Sequence, residues 1–240
     1  MNNKTFTIGY SSIEHQSTHS NNVHRSANKY GQNKEEIASL ESGYSEFKTE
    51  VFDVINTVIK PFLESKTVNL LAIGCRSFHE LDFLEYVLEK SFQNNTSVEG
   101  VELFNVFNDE RITIDNAENF KNIKNKNKNF NIVYSDNNLE HLIDPVNHFK
   151  NLIDIVDDEF YLFYVLPCWN DTNAEPTLGH PNLIHCTKTY EDFTINNINE
   201  YLNEMFSLAK IDKKVEFKVI HTFSNMLLSN CSFVVKVNKQ

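Results

Sequence analysis

Five short strand-like runs, separated by polar or helical segments, constrain this chain more than any other feature. They are Val68 to Gly74, Val98 to Leu103, Arg111 to Asp115, Asn131 to Ser135 and Phe160 to Leu166. Val68 to Gly74 reads as a buried strand and Phe160 to Leu166 as a wholly apolar one; continuous apolar strands of this kind are covered on both faces, and the other three runs read as further strands. Between and around the runs lie segments of helical period. Lys34 to Leu63 carries Ile37, Leu40, Phe47, Val51, Ile55, Ile59 and Phe62. This spacing predicts two helices divided near Ser42-Gly43, the second ending near Pro61. Glu80 to Lys90 places Leu81, Leu84, Val87 and Leu88 on one face. Pro145 to Val156 predicts a helix with Val146, Phe149, Ile153 and Val156 inward, and Ile195 to Ala209 predicts a last one. Strands alternating with helices imply a mostly parallel sheet covered on both faces, an α/β architecture of Rossmann-like type. Val215 to Phe223 and Cys231 to Val237 then read as an antiparallel hairpin at the sheet edge.

Residues 1–32 are rich in Ser, Asn and His, with His15, His19, His24 and Tyr30, and are expected to form a flexible arm. Residues 33–240 are expected to form the folded domain. Its 40% hydrophobic content and 19 Phe suit a substantial core. The formal net charge of -11 gives no general attraction to phosphate backbones, so nucleic acid is not the expected partner. The basic run Lys121 to Lys128 is expected to be a solvated loop. Cys75, Cys168, Cys186 and Cys231 show no paired framework and suit free thiols in a reducing, cytoplasmic setting. The first residues lack the apolar core of a secretory signal, and no apolar stretch is long enough to cross a membrane.

In open α/β sheets, ligands bind beyond the carboxyl ends of the strands. After the first strand stand Gly74, Cys75, Arg76 and Ser77, where glycine lets the backbone approach a ligand and the next helix offers free N–H groups. The second strand ends in Glu102 and Leu103. An acid there can accept hydrogen bonds from both ribose hydroxyls of an adenosine-like cofactor. The third ends in Asp115 and Asn116, suited to an adenine amine. The fourth ends in Ser135 and Asp136, close to where the reacting end of such a cofactor would lie.

The segment Asn131 to Pro145 reads NIVYSDNNLEHLIDP. It resembles the fourth-strand motif of the class I S-adenosylmethionine-dependent methyltransferases, a strand followed by Leu-Glu-His and Asp-Pro. Val98 to Leu103 resembles that family's second-strand motif, and Ala72 to Cys75 the first half of its glycine-rich motif. The resemblance covers roughly residues 50–170. It implies a seven-stranded sheet with a reversed hairpin, S-adenosylmethionine as cofactor, and contacts at Gly74, Glu102, Asp115, Ser135 and Asp136. The chain departs from the pattern at Cys75-Arg76-Ser77-Phe78, where further glycines are usual, and at Asp157-Asp158-Glu159, where a Pro-Gly-Gly turn is usual.

His141 is the candidate catalytic base, because histidine titrates near neutral pH. A structural role for Glu140 and His141, bracing the loop, is the competing reading. Pro167 to Phe193 is long, polar and irregular, and suits a lid or acceptor site. Its His180, His185 and Cys186 match no zinc spacing, so no metal is expected. The expected activity is methyl transfer to oxygen or nitrogen of a small molecule or saccharide. A catalytically inactive methyltransferase-like binding protein, its pocket filled by Arg76 or Phe78, remains the alternative. A nicotinamide or flavin oxidoreductase is disfavoured by the absence of GxGxxG.

Overall fold

A computed structural model of the chain describes residues 49–75, 78–93, 95–103, 105, 108–136, 138–139, 142, 144–167, 194–225 and 230–240. The apolar runs form strands β1 (Val68–Ile73), β2 (Thr96–Glu102), β3 (Ile112–Ile114), β4 (Phe130–Asp136) and β5 (Val156–Pro167), and the tail forms β6 (Val215–Asn225) and β7 (Asn230–Lys239). They make a seven-stranded sheet in the order β3-β2-β1-β4-β5-β7-β6. Pairs from β3 to β5 are parallel, whereas β5–β7 and β6–β7 are antiparallel. The order reverses between β1 and β4, which is the topological switch point.

Alternate side chains along each strand feed two cores. On one face Leu70, Ala72, Tyr134, Phe163 and Val165 meet α1 (residues 49–63) and α2 (Phe78–Ser91). On the other, Leu71, Ile73, Val133, Leu162 and Leu166 meet α3 (Pro145–Leu152) and α4 (Ile195–Leu208). Each large apolar side chain buried this way contributes about 1.5–3 kcal/mol. The sheet is therefore covered on both faces, as the unbroken apolar runs required. Within α1, Ile55–Ile59 forms a π-helical turn, followed by Lys60–Leu63 with Pro61 in its first turn.

The start of α3 explains the Asp-Pro pair. Asp144 is the N-cap, its carboxylate accepting from Asn147 N at 2.9 Å, and Pro145 occupies the first turn, where a missing N–H costs nothing. Thr194 caps α4 in the same way.

Four local expectations need correction. α3 stops at Leu152, and its fully buried stripe is Pro145, His148, Phe149 and Leu152, with the expected Val146 and Ile153 half-buried against the same core. Val156 already belongs to β5. Asp157 to Glu159 is not a turn before β5 but lies inside it, at a register irregularity where Phe130 pairs with Val156 and Ile132 with Tyr161. Glu159 still pairs with Asn238 on the opposite side, which keeps this stretch extended. Phe62 is 45% exposed, stacking on Tyr161 beneath the Lys236 ammonium. The basic run is not simply solvated: Lys124 pairs with Asp154, and Lys126 and Lys128 both pair with Glu99.

Candidate functional site

The strand ends named from the sequence converge. Glu102 pairs with Ile114, Val101 with Ile73, and Ile73 with Ser135. Gly74 N donates to Val101 O at 2.9 Å, and Asp115 N donates to Glu102 O at 2.9 Å. Asp115, Glu102, Gly74 and Ser135-Asp136 therefore lie in one row along the carboxyl edge of β3, β2, β1 and β4. With adjacent strands about 4.8 Å apart, the row spans roughly 14 Å.

At the end of β1, Gly74 has φ +72, a left-handed conformation that side chains resist. A Cβ there would lie 2.7 Å from the Asn138 carboxamide, so the close approach that this glycine permits is made by Asn138, two residues beyond β4. Cys75 was expected beside the ligand, but its thiol turns into the core. It is buried under Gly100, where a Cβ would collide with Cys75 Sγ. Burial, with the charges of Glu80 and Glu102 nearby, pushes the thiol well above its ordinary range. The Cys75 side chain is thus a packing group of the core. At the end of β2, the half-buried Glu102 accepts from Leu103 N at 2.7 Å, and Leu103 itself is exposed.

Beyond β3, Asp115 is buried and its carboxylate organises the backbone. One oxygen accepts from Asn122 N at 2.6 Å and Ile123 N at 2.9 Å, the other from Asn116 N at 2.8 Å. These charge-assisted bonds start the 3-10 turn Ile123–Lys126. Asn116 Oδ1 in turn accepts from Glu118 N. The side chains expected to meet an adenine amine thus build the turn that would frame one.

That turn is fastened to α3 by His148, which sequence reasoning missed. Its Nδ1 lies 2.6 Å from Ala117 O and its Nε2 2.8 Å from Tyr164 Oη. The carbonyl can only accept, so Nδ1 carries the proton and Nε2 accepts from the tyrosine. Burial holds the imidazole neutral, lowering its pKa to about 4. Asn151 Nδ2 adds a bond to Glu118 O at 2.9 Å, and Asp144 N donates to Glu118. The signal was available: positions 145, 148, 149 and 152 follow the i, i+3, i+4, i+7 rule once histidine is counted as able to be buried.

At the end of β4, Ser135 is 2% exposed and packs inside the sheet, while Asp136 reaches the edge half-buried. Arg76, Glu140 and His141 lie outside the described residues, as do the arm and residues 168–193. No group of three or more His, Cys, Asp or Glu suited to a metal occurs among the described residues. No helix among them is long and apolar enough to cross a membrane.

No family model matches the sequence, and no curated protein matches it. Solved structures do resemble the fold. The plantazolicin methyltransferase BpumL, in complex with a triazolic desmethylPZN analog and SAH, aligns with a TM-score of 0.54 and 10% identity, over 95% of this chain and 99% of that one. The plantazolicin methyltransferase BamL, also with a desmethylPZN analog and SAH, gives 0.53 and 14% identity over 95% and 100%. The CMeT domain of the citrinin polyketide synthase gives 0.52 and 8% identity over 85% of this chain and 57% of that one. At such identities the likeness is one of fold, and the fold is that of the class I methyltransferases.

Proposed function

We propose that this chain is an S-adenosylmethionine-dependent methyltransferase acting on oxygen or nitrogen of a small molecule or saccharide. The observation that carries the reading is the row at the carboxyl edge of β3, β2, β1 and β4, in a fold shared with methyltransferases that bind SAH. The residues present fit the cofactor. Glu102 supplies an acceptor for ribose hydroxyls. The Asp115–Ala117 turn, held by His148, frames one end of the row. Gly74 stands next to the β4 end of the row, and α2, which follows it in the chain, begins with free backbone N–H groups of the kind that suit a carboxylate.

When bound, the cofactor supplies a methyl group on a positively charged sulfur. The chain's own task is to hold the acceptor atom in line with that methyl and to take up its proton. His141, in the segment after β4, is the group we assign to the proton. Residues 167–193 are assigned to acceptor binding, and the cytoplasm is the assigned location. A small acceptor is also supported by the acidity of the chain and by the pairing of Lys124, Lys126 and Lys128 with its own carboxylates.

Calorimetric titration with SAH is the test. Saturable binding and a raised melting temperature are expected, since a ligand at 100 times its Kd stabilises the folded state by about 2.7 kcal/mol. His141→Gln should retain this binding and lose turnover. Absence of heat and of any thermal shift at about 1 mM ligand removes the proposal. The second reading, an inactive binding protein, is favoured by the Asn138 side chain lying on Gly74. In its strict form, with that place closed, it predicts no SAH binding.

A further inference from the structure

Building on the cofactor reading above, we propose that Asn138 is a cofactor-binding residue that donates, from its carboxamide nitrogen, to the carboxylate of the cofactor's amino-acid tail.

The argument starts from strand order. With the adenine at the β3 end and the ribose at Glu102 on β2, the next strands along the row are β1 and then β4. Each step is about 4.8 Å, so the tail of an adenosine-based molecule reaches the junction of β1 and β4. At that junction the Asn138 carboxamide rests on Gly74, close enough that any side chain at 74 would meet it.

Its Nδ2 is buried and has no hydrogen-bond partner among the described residues. A buried donor left unpaired costs about 1–3 kcal/mol, and such a group asks for an explanation. Three other buried polar atoms without a partner among the described residues do not share its position. Ser91 Oγ is at the far end of α2, Thr113 Oγ1 is on the edge strand β3, and His221 Nε2 is on the edge strand β6. Asn138 stands at the switch point itself.

The chemistry of the donor then selects its partner. An amide N–H2 only donates, so it needs an acceptor. The tail of S-adenosylmethionine ends in an ammonium, which also only donates, and a carboxylate, which only accepts. The carboxylate is the group that answers. Asparagine's terminal torsion is broad, so the carboxamide can turn toward a ligand lying over Gly74 at small cost. α2, which begins four residues after Gly74, has further free N–H groups in its first turn. In this chain, whose loop after Gly74 lacks further glycines, a side chain from the β4 loop thereby takes over part of the tail's recognition.

The test compares two probes, SAH and 5′-methylthioadenosine, which keeps adenosine and sulfur but lacks the amino-acid tail. Calorimetry would be run on the wild-type chain, Asn138→Ala and Asn138→Asp, with melting curves as a check on folding. The expected result for Asn138→Ala is about tenfold weaker SAH binding, roughly 1.4 kcal/mol, with methylthioadenosine binding unchanged. Asn138→Asp, which sets a carboxylate against a carboxylate, should weaken SAH binding further. It carries the test alone if the alanine variant does not fold. Equal losses for both probes, or no loss for SAH, overturn the assignment and leave the cofactor reading standing. A wild-type chain that binds neither probe overturns both.

Discussion

At the scale of single residues, His148 makes the sharpest prediction. Because burial holds its pKa near 4 in the folded chain, against 6.5 for a free imidazole, the unfolded chain binds the extra proton. Its contribution is complete above about pH 6.5, declines as pH falls toward 4 and levels off below that, an effect on the order of 3 kcal/mol. Urea unfolding at pH 7 and pH 4.5 should show a smaller drop for His148→Gln than for the wild type. NMR at pH 6 should find the ring neutral with its proton on Nδ1; a charged ring would refute the assignment. The places of Gly74 and Glu102 at strand ends were legible in the sequence, because the end of a strand-forming run marks the carboxyl edge of the sheet. Cys75 and Asp115 were legible in place but not in direction. A linear pattern does not say that Gly100 has no side chain because Cys75 Sγ needs the room. Nor does it say that the Asp115 carboxylate meets the amides of residues 122 and 123.

At the scale of elements, the turn after β3 depends on one carboxylate. Asp115→Asn places an NH2 or a weaker acceptor against N–H groups that now share charge-assisted bonds, at a cost of about 2–3 kcal/mol. Hydrogen exchange at the amides of Asn122 and Ile123 should quicken, while exchange in β4 stays slow. Uniform acceleration across the sheet would show instead that the turn has no independent stability. Most elements were legible because a buried parallel strand cannot alternate and a capped helix announces its start, as Asp144-Pro145 does. What escaped was the path through Asp157 to Glu159. Three consecutive acids resemble a turn, but β4 pairs with Val156 and Tyr161 on either side of them and Glu159 pairs with Asn238 of β7, so they lie within the strand. The face of α3 escaped because a histidine was not counted among its buried positions.

At the scale of the whole molecule, the sheet order rests on long-range pairings that the local pattern only implies. β7 is the clearest case. The sequence showed two runs able to form a hairpin, but not which of them lies inside. In the structure β7 fills the gap between β5 and β6, burying Phe233, Val234, Val235 and Val237. A chain ending at residue 229 loses these side chains and every pairing partner of β6. It should show no cooperative unfolding transition by circular dichroism, whereas a chain lacking only residues 1–32 should retain one. A sharp transition in the shorter chain would mean that β5 closes the sheet without β7.

The position of β7 also sets an order of events during synthesis. Of the seven strands it is the last to leave the ribosome, yet it separates two made earlier. Until it arrives, β5 presents a bare hydrogen-bonding edge and β6 has no neighbour to lie against. Nascent chains paused at that stage carry an open, apolar strand border of the kind that recruits other chains. Slow translation of the final strand should therefore cost soluble yield, and a chaperone that shields strand edges should restore it.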